Sequence, residues 1–285
     1  MMKLQTPVEC AHLKERLGYK NKYLFIGSCF ATEIGSMMKD LGFDLLLNPF
    51  GVLYNPASIY SSIKRLSSGT PFTEKDIIMD NGRYTSFFHH STFTRGSKEE
   101  FLANANASLE RDSAKFAAAD TCVVTLGTAW VFRHLERDVI VSNCHKIHPA
   151  QFRRERLEVE EVTGMLCEIV EAHPDKKWIF TVSPIRHLKD TAHGNQLSKS
   201  ILLLAIDRLQ HLHPEVEYFP AYEIMMDELR DYRFYTENMT HPTDQSIRYI
   251  FDRFCDYAID ASEMAAIAEA KKRLKASRHI GFTSK

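Results

Sequence analysis

The sequence predicts a three-layer α/β/α sandwich with a mostly parallel central sheet, and three observations carry that expectation. Short apolar runs rich in β-branched and aromatic residues alternate with stretches of helical periodicity. Each run ends at a glycine or at Ser-Pro. No internal repeat or low-complexity linker interrupts the alternation. Lys22 to Ile26 (KYLFI) is the first run, closed by Gly27, and it suits a buried strand. Beyond Gly27-Ser28-Cys29, the stretch FATEIGSMMKDLG sets Ile34, Met37, Met38 and Leu41 at helical spacing, with Gly42 where a C-terminal cap belongs. Thr121 to Leu126 (TCVVTL) reads as a second buried strand, ending at Gly127. Leu157 to Ala172 carries one apolar helical face, and Lys177 to Val182 (KWIFTV) is a strand that stops at Ser183-Pro184. A helix from about Gln196 to His211, a short strand at Val216 to Phe219 and a helix from Asp244 to Tyr257 complete the pattern.

Composition narrows the function classes. The 285 residues are 44% hydrophobic and 26% charged, an ordinary globular balance that excludes a disordered or fibrous chain. Lys plus Arg is 36 and Asp plus Glu is 37, so the chain lacks the basic excess expected of a nucleic-acid binder. Six scattered cysteines form no C-x-x-C pair, which predicts free thiols in a reducing compartment. The N-terminal stretch has no secretory apolar core, and no window nears the ~18 consecutive apolar residues of a membrane span. A cytoplasmic protein without membrane attachment is the expectation. Oligomeric state is not legible.

One domain over 1–285 is expected, with an insertion at about 48–120 and a helical C-terminal tail at about 261–285. The insertion carries turn signals at Asn48-Pro49, Asn55-Pro56 and Asn81-Gly82 and the unusual run Phe87-Phe88-His89-His90. If this run folds over the sheet edge as a lid, His89 or His90 would face the site and the phenylalanines would exclude water. The opposing reading is a satellite hydrophobic cluster away from the rim.

In an open parallel sheet, ligands bind beyond the carboxyl ends of the strands. Four polar clusters fall there: Gly27-Ser28-Cys29, Gly127-Thr128, Ser183-Pro184-Ile185-Arg186-His187 and Thr240-His241-Pro242. At this point a resemblance becomes specific. FIGSCFA (Phe25 to Ala31) resembles the signature of the GSCFA family. NPFGVLYNP (Asn48 to Pro56), LGTAWVF (Leu126 to Phe132), NCHK (Asn143 to Lys146), TVSPIRHLKD (Thr181 to Asp190) and YFPAYEIMMDELRDYRFY (Tyr218 to Tyr235) extend it over most of the chain. That family is similar to a distant branch of the SGNH, or GDSL-like, hydrolases. The resemblance implies a flavodoxin-like fold with a nucleophile just after the first strand and a base in a late Asp-x-x-His.

In that register Cys29 takes the nucleophile position and Ser28 the aspartate position. The late motif reads Asn238-x-x-His241, with Glu237 before it. Gly127-Thr128-Ala129-Trp130 lacks the asparagine expected to help hold an oxyanion. Physical chemistry supports the substitution: a helix N-terminus favours a thiolate, which needs less activation than a serine hydroxyl. A Cys–His pair oriented by an amide is workable chemistry. The expected machinery is Cys29 or Ser28 as nucleophile, His241 as base, and Asn238 or Glu237 orienting the imidazole. Backbone N–H groups at Cys29 and Gly51 would hold the oxyanion, with Asn48 or Asn55 replacing the missing asparagine and Thr128 beside them. Arg186 and His187 are candidate binding groups; Arg186 either binds a carboxylate or phosphate or pairs with Asp190. His89, His90, His145 and His148 show no metal-ligand spacing, so neither a metal nor another cofactor is expected. The implied activity is hydrolysis or transfer of an acyl ester on a small-molecule or carbohydrate substrate. The competing class is a fold that kept its pocket as a ligand-binding module and lost the chemistry.

Overall fold

The computed structural model describes residues 5–280, with side chains to 276. In chain order its elements are β1 (Lys22–Gly27), α1 (Cys29–Asp40), β2 (Asp44–Leu47), α2 (Pro56–Ser68), β3 (Ile77–Asp80), β4 (Arg83–Ser86) and α3 (Lys98–Ala118). There follow β5 (Thr121–Leu126), β6 (Trp130–His134), β7 (Val139–Val141), β8 (Phe152–Arg156), α4 (Val159–Ala172), β9 (Lys177–Val182) and α5 (Thr191–Leu212). The chain ends with β10 (Glu217–Tyr218), the short α6 (Ala221–Glu223), α7 (Asp244–Ala258) and α8 (Met264–Ile280). No helix among the described residues is long and apolar enough to cross a membrane.

The central sheet runs β10-β9-β5-β1-β2, and every pairing in it is parallel. Strand β5 is buried at all six positions, so its apolar residues run on without a polar alternation. Successive side chains of β1 go to opposite faces: Leu24 and Ile26 meet α2, α3, α4 and α5, while Tyr23 and Phe25 meet α1, α7 and α8. The result is the expected three-layer α/β/α sandwich. The sheet order reverses between β1 and β5, which makes their carboxyl ends the topological switch point where ligands bind in such folds.

Four features depart from the sequence reading. Helix α5 begins at Thr191, five residues before its expected start. Strand β2 was not foreseen; its four residues follow a glycine turn and show no alternation. Residues 48–120 contain α2 and α3, whose Ile59, Ile63, Leu66, Phe101, Ala105 and Leu109 belong to the main core beside β1 and β5. The segment outside that layer is the hairpin β3–β4, turned by Asn81 (φ 49°) and Gly82 (φ 73°) in the left-handed geometry that Asn-Gly favours. Last, an antiparallel sheet β7-β6-β8 grows from the end of β5 and stands over the switch point.

Candidate functional site

A cavity of about 660 Å³ opens at the carboxyl ends of β1, β5 and β9. Its floor is the turn between β1 and α1. Gly27 holds φ 139°, and a Cβ there would come within 2.1 Å of the Thr125 carbonyl oxygen, so only glycine lets the two strand ends approach this closely. Ser28 occupies the helix N-cap without a side-chain cap bond; its Oγ is buried and has no hydrogen-bond partner among the described residues. Cys29 opens the helix, half-buried, with Sγ 3.3 Å from the Tyr54 hydroxyl. The first backbone N–H groups of a helix have no intrahelical acceptor, so the thiol sits beside free donors.

Of the residues singled out from sequence, Ser28, Cys29, Asn55, His90, Thr128, Arg186, His187 and His241 all line this cavity. Asn55 caps α2 by accepting from Ser58 N–H through Oδ1 at 2.8 Å, leaving its amide NH₂ as the donor available at the wall. Thr128 exchanges a 3.0 Å bond with Ser198 and accepts from Trp130 N–H, which fixes the entry to β6.

Five of the residues do other work. Asn48 accepts from Gly27 N–H and donates to Thr32 Oγ1, both at 2.8 Å; it ties the turn together and is not among the residues lining the cavity. Gly51 donates its N–H to the Asn48 carbonyl and lies against His90, so it serves the loop rather than the cavity. His89 is fully buried among Phe50, Phe72, Phe93 and Phe101, bonded to Ser86 Oγ at 2.7 Å; burial pushes its pKa down to about 3. His145 bonds the Ser86 carbonyl through Nε2 at 2.8 Å and is likewise shifted down by burial. Glu237 is exposed and makes no hydrogen bond or ion pair among the described residues. The reason for the histidine placement is the hairpin: β4 turns Phe87 and His89 inward, while His90 reaches the cavity wall.

His241 stands on the loop between the Tyr235 and Pro242 bridge positions. Asn238 does orient its ring, but with a definite polarity. Its Oδ1 accepts from the N–H groups of Thr240 and His241 at 2.9 and 3.0 Å, so the group facing His241 Nδ1 at 2.9 Å is the amide Nδ2. An amide donor at Nδ1 places the proton of a neutral imidazole on Nε2. No hydrogen bond joins His241 to Ser28 or Cys29 among the described residues.

The structure adds residues that motif reading passed over. Tyr54 meets the thiol and packs edge-on to His187, with ring centroids 6.0 Å apart. His187 has a buried Nε2 without a hydrogen-bond partner among the described residues, and its pKa is lowered to about 4, first by burial and then by Lys199, His241 and Arg154. Lys199 is fully buried and donates to the carbonyls of Gly127 and Ser183, each at 2.7 Å; burial lowers its pKa to about 7. It thereby clasps the ends of β5 and β9. Its signal in the sequence is a lysine at i, i+3, i+7 spacing with Leu202 and Ile206 on a buried helix face. Asp190 pairs with Arg154, which also stacks on Trp130 and Phe132, so the Arg186–Asp190 pairing does not form.

The fold and the rim together define an α/β protein with an open pocket at its switch point, floored by the turn that carries Ser28 and Cys29. A family model, that of the GSCFA family, matches residues 22–254, and the chain belongs to that family. No curated protein sequence matches it. Among solved structures it is similar to a Bacteroides fragilis protein provisionally described as an acylhydrolase (10% identity, 91% of each chain, TM-score 0.42). It is also similar to an acetyl xylan esterase from Butyrivibrio proteoclasticus (13% identity, 84% of this chain and 63% of that one, TM-score 0.43). A third is a catalytic mutant of an acetylxylan esterase from Geobacillus stearothermophilus (10% identity, 85% and 96% of the two chains, TM-score 0.42). These likenesses are remote.

Proposed function

We propose that the whole chain acts as one catalytic unit, an ester hydrolase that forms a covalent acyl intermediate on Cys29. One observation carries the reading: Cys29 at the start of α1 and His241 of the late Asn-x-x-His line the same cavity at the switch point. The thiol proton passes to His241 Nε2 as sulfur attacks the acyl carbon. The resulting oxyanion is held by the N–H of Cys29 and the amide of Asn55. Collapse expels the alcohol, which takes the proton back from His241, and water then cleaves the thioester by the same route. The Tyr54 hydroxyl donates to the sulfur while it is anionic.

The Asn238 polarity sets a condition on this scheme. For Nε2 to accept a proton, Nδ1 has to carry one, and Asn238 must then turn Oδ1 toward the ring, giving up its bonds to Thr240 and His241. That same polarity favours the second reading, a pocket that binds a ligand without turning it over. Transfer to a hydroxylated acceptor instead of water is the finer variant of the first reading.

Short acyl esters assayed against wild type, Ser28→Ala, Cys29→Ala and His241→Ala decide among them. The account expects turnover that survives Ser28→Ala and is lost in the other two. Turnover lost only in Ser28→Ala moves the nucleophile to the serine. No turnover in any protein, with a fold unchanged by circular dichroism, leaves the binding module.

A further inference from the structure

Charge around the cavity is lopsided. The chain as a whole carries a formal charge of -1, yet the cavity lining holds Arg154, Arg186 and Lys189 against the single carboxylate of Asp190. Arg154 consumes that carboxylate. Arg186 is half-buried and has no acidic partner among the described residues; the ionisable groups it influences are the phenols of Tyr222 and Tyr235. A half-buried guanidinium without an anion is an incomplete arrangement, because its donors have lost part of their water and gained no acceptor.

The backbone places Arg186 on the His241 side of the cavity. Arg186 N–H donates to the Thr240 carbonyl at 3.0 Å, so Arg186 sits beside His241. In the scheme above, His241 returns its proton to the departing alcohol, so the His241 side of the cavity is the leaving-group side. Cys29 N–H and Asn55 stand around the acyl carbon instead. The cavity volume of about 660 Å³ leaves room for a substrate well beyond a short acyl group.

Building on that reading, we propose that the alcohol portion of the substrate carries an anionic group, a carboxylate or a phosphate, held by Arg186 with Lys189 adding attraction at the mouth. The planar fork of Arg186 accepts either anion with two parallel hydrogen bonds. The anchor sets the ester oxygen next to His241. The surplus positive lining draws an anionic substrate into a chain that is otherwise nearly neutral.

Three acetyl esters of matched leaving ability test the proposal: O-acetylated glucuronate, O-acetylated glucose 6-phosphate and O-acetylated glucose. At low ionic strength at least one anionic ester should exceed the neutral one in kcat/KM by about ten-fold, and whichever anion leads identifies the source. The ratio should shrink as salt is raised and fall to about one in Arg186→Gln, with Arg186→Lys retaining part of it. Equal kcat/KM for all three, or a ratio that Arg186→Gln leaves intact, overturns the proposal while the esterase reading stands. Failure to turn over any ester sinks the esterase reading instead. Calorimetric titration of Cys29→Ala with glucuronate, glucose 6-phosphate and glucose then decides the subsite alone. Arg186-dependent binding of an anion sustains it, and indifference to charge overturns it.

Discussion

His187 and His241 line an open cavity, whereas His89 is packed into the aromatic cluster behind the hairpin β3–β4 and His145 is tied to the Ser86 carbonyl, although His187, His89 and His145 each keep a buried ring nitrogen with no hydrogen bond among the described residues. All four arise from polar, turn-rich sequence, and residue type does not distinguish them. What separates them is surroundings. His89 is ringed by four phenylalanines and bonded to Ser86, an environment that fills a core and leaves no room for a ligand. His241 is exposed and held at Nδ1 by Asn238 and Thr240, with no bond at Nε2 among the described residues. A ring held against a cavity marks a reaction site, and one packed into the core marks a scaffold.

The largest effect expected from that contrast is in activity. Cys29→Ala should cut ester hydrolysis by about 10³-fold with an unchanged melting temperature, since the thiol is half-exposed and contributes little packing. A melting temperature that falls while hydrolysis persists would return Cys29 to the scaffold. His89→Ala should do the reverse: a loss of about 3 kcal/mol in unfolding experiments for an emptied aromatic cage, with KM for a short ester nearly unchanged.

Protonation sharpens the same pair. With a folded pKa near 3 against 6.5 unfolded, His89 binds fewer protons folded than unfolded across that window. Stability should therefore be full above pH 6.5 and decline as pH falls toward 3. His187, shifted to about 4, adds a decline of the same sign. Urea titrations at several pH values should show the slope reduced in His89→Phe; an unaltered slope would mean that His89 is not buried neutral.

Lys199→Met is expected to cost about 2 kcal/mol, because the carbonyls of Gly127 and Ser183 lose their shared donor, and to slow catalysis by loosening both rim turns. Lys199→Arg should not rescue it, the site being too enclosed for the larger head. The smallest effect expected is a gain. Asn238→Asp gives Nδ1 an acceptor without rotating the amide and should raise kcat by about ten-fold. A loss there would show that the Asn238 polarity belongs to the working state.

These expectations also show what was legible beforehand. Strands β1, β5 and β9 were readable because strands buried on both faces are written as unbroken apolar runs. The wall β7-β6-β8 was not, since WVFRH and FRRER mix arginine with aromatic residues; Arg154 and Arg156 lie on aromatic rings, and Arg133 and Arg153 pair with Glu155. Cys29 and His241 stood out through their motif positions. Asn48, by contrast, looked like an oxyanion donor until its place inside the turn and off the cavity lining was seen, and Glu237 looked like a partner for His241 until Asn238 was found at the ring. Tyr54 and Lys199 lie in segments whose meaning depends on what the fold brings next to them, and that is long-range information.

The most direct test of the account is to trap the acyl intermediate. Wild-type protein mixed with a short aryl ester and quenched within the first turnover should gain one acyl mass, and peptide mapping should place it on Cys29 as a thioester cleavable by hydroxylamine. His241→Ala should acquire the same label far more slowly. An acyl group found on Ser28, spread over several of the six cysteines, or absent despite turnover would contradict the assignment of Cys29 as the nucleophile.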